Sequence, residues 1–177
     1  MKKYYFLGFL LLILKLNSQI FVTQSGAGNK SGSSWANAST LQNAISNAGS
    51  NSQLWLKSGV YNITSSLVLE NNISNLKLYG GFAGTETNLN QRNYTTNLTI
   101  LDGQNTTQIL MLRSDNSEVN GITFRNGFVT GTITGGTNPN SGGGAIFVFG
   151  NNSILKNCKF TDNVSTSERG AGAVYLR

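Results

Sequence analysis

Seven carboxylates supply the candidate pairs for glycoside hydrolysis in this chain: Glu70, Glu86, Asp102, Asp115, Glu118, Asp162 and Glu168. Hydrolysis of a glycosidic bond needs two carboxyl groups about 5–9.5 Å apart, one to protonate the leaving oxygen and one to serve as base or nucleophile. Asp115 and Glu118 are the nearest pair in sequence, but they flank a turn-like SDNSE. No DxD or DD pair occurs. A calcium site wants several carboxylates among its oxygens, and no such cluster is visible. The chain has no His, which excludes Ser-His-Asp and Cys-His catalysis and His-ligated metals. Its one Cys, Cys158, excludes an intrachain disulfide and a multi-Cys metal centre. The residues therefore point to no catalytic, cofactor-binding or metal-ligating set.

Taken singly, the remaining candidates have structural readings. Asp102, in Leu-Asp-Gly, suits a turn. Glu86 and Arg92 bracket a loop and suit an ion pair. Cys158 aligns with Ile122 and reads as a small core residue. Trp35 and Trp55 have two readings, stacking on sugars or packing beneath a cap. Tyr79 and Phe82, beside Gly80 and Gly81, read as loop anchors. The Gly-rich GGFAG and SGGGA lack the Lys-Ser/Thr ending of a phosphate loop. Nine N-x-S/T sequons occur, at Asn29, Asn37, Asn62, Asn72, Asn93, Asn97, Asn105, Asn151 and Asn163; they matter only in a host that glycosylates them.

Charge narrows the partners. The formal net charge is +6, but Lys2, Lys3 and Lys15 fall in the first nineteen residues and the other cations are spread singly. Nucleic-acid binding needs a basic stripe, and none exists. Charged residues make up 11% of the chain, against about 25% in an average soluble domain. Asn, Ser, Thr and Gly carry the polar load instead. At the start, Lys2-Lys3, the apolar run Phe6 to Leu14 and the polar exit Asn17-Ser18-Gln19 have the layout of a secretory signal, with cleavage near Gln19. The run is about half the roughly 20 residues of a transmembrane helix. No membrane span is expected after its removal.

These residues must be positioned by short elements. Over 34–49 (SWANASTLQNAISNAG), apolar residues at Trp35, Ala38, Leu41, Ala44, Ile45 and Ala48 trace one helix face, with Ser33 or Ser34 as cap and Gly49 as stop. After about Gln53 the chain reads as four- to seven-residue strands divided by Gly and Asn, which tolerate positive φ. The strands repeat. GGGAIFV at 142–148 recurs as GAGAVYL at 170–176, and GITFRNG at 121–127 recurs as NCKFTDN at 157–163. The extra length of the second spacing fits a loop at 130–144. Spacings of this size, with Gly-bounded alternating strands, predict an all-β fold, a parallel β-helix solenoid. Ile122, Phe124, Ile146, Val148, Cys158, Phe160, Val174 and Leu176 would stack inward, with Thr123 and Lys159 outward. The helix would cap the open first coil. The expected organisation is a signal peptide (1–19), an N-terminal strand and capping α-helix (20–50), and coils over 51–177.

The pairing of GGAI (143–146) with F-x-x-N at Phe160-Thr161-Asp162-Asn163 resembles the repeats of polymorphic outer-membrane proteins. GAGAV (170–174) departs from that pattern by one inserted Ala. GSSWANASTLQNAI (32–45), LWLKSGVY (54–61), LYGGFAGTETNLNQRNY (78–94) and TILDG (99–103) resemble exported bacterial right-handed β-helix proteins. The resemblance implies a pectin-lyase-like right-handed parallel β-helix, secreted or on the cell surface. Many relatives carry a C-terminal secretion or autotransporter domain, so the chain reads as the N-terminal part of a longer protein. Lyases of this fold use calcium held by clustered acids together with a basic residue.

The resulting expectation is a non-enzymatic secreted or cell-surface module, serving adhesion or as a stalk. Its partners would be extracellular glycans or a host or neighbouring cell surface. The alternatives are the N-terminal part of a polysaccharide lyase or glycoside hydrolase, and a carbohydrate-binding module using exposed aromatics.

Overall fold

A computed structural model describes residues 19–131, 142–167 and 170–177. The signal-like run, most of the 130–144 loop and Glu168 lie outside the described residues. The described chain is mostly β, and every strand pairing is parallel. In chain order, β1 (Gln19–Val22) is followed by β2 (Gln53–Lys57), β3 (Gly59–Asn62) and β4 (Leu67–Leu69). Next come β5 (Lys77–Phe82), β6 (Thr99–Asp102) and β7 (Leu110–Leu112). Then follow β8 (Glu118–Asn120), β9 (Ile122–Arg125), β10 (Phe128–Val129) and β11 (Ile146–Val148). Last are β12 (Ile154–Lys156), β13 (Lys159–Thr161), β14 (Val164–Ser165) and β15 (Val174–Leu176).

Several separate sheets result. Sheet A has the order β1-β2-β5-β8-β12, sheet B β13-β9-β6-β3, sheet C β15-β11-β7-β4, and β10 pairs with β14 alone. The chain visits A, B and C in turn before returning to A. The segments matched by sequence lie side by side: Ile146 opposes Val174, and Phe124 opposes Phe160.

Alternation explains the core. Leu54, Leu78 and Val119 form one buried column of sheet A. Tyr61, Leu101 and Phe124 do the same in sheet B, and Leu67, Leu110 and Ile146 in sheet C. One hydrophobic cluster joins all three columns. Of the expected inward residues, Ile122, Phe124, Ile146 and Val148 are buried, while Cys158, Phe160 and Val174 pack against the cluster half-buried. Leu176 departs from the expectation, at 70% exposed. Among the described residues no strand lies beyond the last of each sheet, so these side chains are covered from one side only.

The turns have a sequence cause. Asn51, Asn75, Asn116 and Asn152 each stand two residues before a strand of sheet A, and all four have positive φ between 54° and 67°. Asn is among the few side chains that tolerate that conformation. The amides also tie neighbours together, Asn75 Nδ2 donating to Asn51 Oδ1 (2.7 Å) and Asn152 Nδ2 to Asn116 Oδ1 (3.3 Å).

The GGAI and F-x-x-N residues each tie or crowd a neighbouring stretch of backbone. Asn163 accepts from Gly127 N–H (2.8 Å) and donates to Phe124 O (3.0 Å). A Cβ on Gly143 would strike the Ala173 carbonyl, and one on Gly144 the Val164 carbonyl. Glycine is required there because backbones approach too closely for any side chain.

The helix is shorter than its periodicity suggested. The α-helix α1 covers Leu41–Asn47, and Trp35–Asn37 form a separate 3-10 turn. Between them Ala38 is extended and Ser39 bridges to β1, donating to Phe21 O (2.8 Å) and accepting from Thr23 N–H (3.0 Å). The cap is Thr40, which accepts from Asn43 N–H, rather than Ser33 or Ser34. Leu41 and Ala44 join the main core, and α1 lies against β1, β2 and β4.

Candidate functional site

The carboxylates are distributed through the structure as connectors. Asp102, at the end of β6, accepts from Gln104 N–H (2.9 Å) and Asn126 Nδ2 (3.0 Å) through one oxygen, and from Arg125 Nε (2.7 Å) through the other. Burial opposes its ionisation, but the Gln104 amide, Arg125 and Asn126 outweigh that and hold the carboxyl below its ordinary value. The turn role read from Leu-Asp-Gly holds, with a cross-strand ion pair added.

Glu86 and Arg92, expected as an ion pair, form none. Glu86 is buried and accepts from the backbone N–H groups of Ala83 (2.6 Å), Gly84 (2.9 Å) and Thr85 (3.0 Å). Burial again works against the charge, and these amides prevail, lowering the carboxyl's pKa. Backbone donors in a tight loop satisfy the carboxylate more completely than one distant guanidinium would. Arg92 instead donates to Gly80 O (2.9 Å) and Asn120 O (3.2 Å), between the rings of Tyr79 (5.0 Å) and Tyr94 (5.4 Å).

Asp115 and Glu118 are committed to different partners. Asp115 accepts from the backbone and side-chain amides of Asn151 (2.7 and 3.2 Å). Glu118 accepts from Tyr79 Oη (3.2 Å) and Asn120 Nδ2 (2.8 Å), and Asn157 extends the chain to Asn120 Oδ1 (3.0 Å). Burial, then the Glu118 charge and hydrogen bond, push the Tyr79 phenol up to about 12 against the opposing pull of Arg92. Among the described residues no group of three or more His, Cys, Asp or Glu is arranged to hold a metal ion.

The aromatic candidates sort by the face of sheet A they occupy. Phe21, Trp55 and Tyr79 form an outward column. Trp55 is buried, 4.6 Å from Phe82 in a stacked pair, while Trp35 packs on Phe21 and Phe82 and donates from Nε1 to Glu86 O (3.0 Å). Trp55 therefore offers no sugar platform. The packing reading holds for both tryptophans, but in a second cluster on the outside of sheet A, under the 3-10 turn and not under α1. Tyr79 and Phe82, read from the sequence as loop anchors, belong to it from within strand β5.

Cys158 is half-buried against the core. Its Sγ lies 3.5 Å from Val119 O and 3.4 Å from Lys156 O, and burial raises its pKa. Of the sequons, Asn163 has its amide committed inside a turn, whereas Asn29, Asn62, Asn72, Asn93, Asn105 and Asn151 are exposed.

One partly exposed row escaped the sequence. Directly after the paired strands of sheet C stand Glu70, Arg113, Phe149 and Arg177, a row crossing four neighbouring strands. Arg113 pairs with Glu70 (3.4 Å), and Arg177 lies over Phe149 (5.6 Å). Asn71 and Asp115 line a cleft with Arg113 and Phe149. The intervals between these residues differ from strand to strand, so no fixed spacing reveals the row.

Among the described residues no helix is long and apolar enough to cross a membrane. No protein-family model, no curated protein and no solved structure matches this chain.

Proposed function

We propose that the chain is a non-enzymatic module of a secreted or cell-surface protein, built as a right-handed parallel β-helix and serving adhesion or as a stalk. The observation that carries this reading is the repeated passage through sheets A, B and C, each visit adding one parallel strand to each sheet. Taken as three faces of one solenoid, these sheets enclose the larger of the two hydrophobic clusters. Right-handed winding is the expected hand, because about 98% of parallel crossovers have it. The use of Asp102, Glu86, Asp115 and Glu118 as structural acceptors supports a non-catalytic role. The signal-like first residues and the resemblance of GGAI and F-x-x-N to outer-membrane repeats support export.

The test displays the full chain on a non-adherent bacterium and measures retention under flow on glycan-coated and cell-coated surfaces. The purified chain is incubated in parallel with a polysaccharide panel. Increased retention without sugar release is the expected result. Release of fragments overturns the non-enzymatic reading, and retention equal to bare cells removes adhesion and leaves the stalk.

A second reading, a carbohydrate-binding module, is favoured by the row of Arg113, Phe149 and Arg177, which sets an aromatic ring among hydrogen-bond donors. Loss of glycan retention in Phe149→Ala with the fold intact would support it. Unchanged retention would count against it.

A further inference from the structure

We infer that the exported chain begins at Gln19 and that this residue closes on its own amino terminus to form pyroglutamate. The inference rests on the secreted reading above. A signal peptidase needs a small residue just before its cut. Across Lys15-Leu16-Asn17-Ser18-Gln19-Ile20-Phe21-Val22, Ser18 is the only small one. Cleavage after Ser18 leaves Gln19 as the terminal residue.

The fold agrees with that position. β1 starts at Gln19 and pairs with β2 from there, Gln19 opposing Gln53 and Val22 opposing Leu56. Phe21 is held further by its N–H to Gly32 O (2.9 Å) and its carbonyl to Ser39 N–H (2.8 Å). A cut deeper in the chain would remove strand residues from the edge of sheet A.

The second observation is the side chain itself. Among the described residues, Gln19 Nε2 is buried and finds no hydrogen-bond partner. A buried unsatisfied donor is costly, and native structures tolerate few of them. That nitrogen is the leaving group of cyclisation. The terminal α-amino nitrogen attacks Cδ of the same residue, a new C–N bond closes the five-membered lactam, and the Cδ–Nε2 bond breaks. Nε2 departs as ammonia, carrying the proton that the amine gives up. No oxidant, reductant or second substrate is consumed. The product loses the orphaned donor and the terminal positive charge together, while Ile20 to Val22 keep their pairing.

The test expresses the full chain with its own first residues in an exporting Gram-negative host. Free amines on the protein recovered outside the inner membrane are blocked before digestion, and the N-terminal peptide is sequenced by mass spectrometry. The expected peptide begins at Gln19, is unblocked and is lighter by one ammonia. Gln19→Ala, which has no amide to lose, should begin at the same place and carry the block. A blocked, uncyclised Gln19 overturns cyclisation and leaves export standing. A terminus elsewhere in the exported protein overturns the inference and leaves export standing. Retention of residues 1–18 on protein inside the cell overturns the inference together with the secreted reading.

Discussion

Arg125 Nε donates to Asp102 Oδ2 at 2.7 Å, joining two directly opposed residues of adjacent strands, β6 and β9. The acid is nearly enclosed, at 9% side-chain exposure, whereas the Arg125 side chain is 36% exposed. Three donors converge on this one carboxylate, which makes it a joint between strands and the turn that follows.

Asp102→Ala is expected to cost about 1–3 kcal/mol, because charge-assisted bonds and their buried donors are lost together. Solvent screening on the Arg125 side favours the lower half of that range. The folded pKa lies below the unfolded value of about 3.9. The contribution is therefore complete above that value and disappears as pH falls through the lower folded value. Denaturant unfolding across acidic pH should show a shallower acid loss in the variant than in the parent.

Gly144→Ala should destabilise by about 1–3 kcal/mol, since its Cβ would meet the Val164 and Gly172 carbonyls and the backbone must move apart. At Gly49 an added methyl group would have no neighbour within 4 Å, and the backbone there has no positive φ. Gly49→Ala should be neutral or stabilise by up to about 1 kcal/mol through the unfolded chain. Thermal unfolding of the two variants side by side checks the contrast.

Phe124 and Phe160 stack 5.4 Å apart in one column of sheet B, but only Phe124 is fully buried. Phe124→Ala should cost about 3–5 kcal/mol. Phe160→Ala should cost roughly half as much, in proportion to the apolar area it removes from water. Equal losses in equilibrium unfolding would contradict the one-sided covering of the last strands.

Cys158 should react slowly with a thiol reagent at neutral pH. Burial raises its pKa, so the thiolate forms only above the ordinary thiol value of about 8.5. Reaction followed by absorbance should accelerate above that pH in the folded protein and at lower pH in denaturant.

The strand ladder was legible because close packing leaves marks in residue type. Ile146 and Val174 are both apolar and both follow an Ala, and Ile146 lies after glycines that the neighbouring backbone requires. Helix length was not legible from 34–49, because apolarity does not say which surface a residue faces. Trp35 is apolar for the outer cluster and Leu41 for the inner core, and Ser39 between them is taken by β1. The expected Glu86–Arg92 pair shows the same limit. Their actual partners are mostly backbone groups and aromatic faces, which no residue letter reports. The row ending in Arg177 depends on loop lengths that only the completed pairing reveals.

The column from Leu54 to Leu78, Val119 and Leu155 advances by unequal stretches of chain, yet each step moves just one strand across sheet A. Surplus residues are spent sideways, in the connections. Foreign peptides spliced into those connections should leave the ladder undisturbed, so the protein offers a rail on which new surfaces can be mounted without redesigning what holds it up.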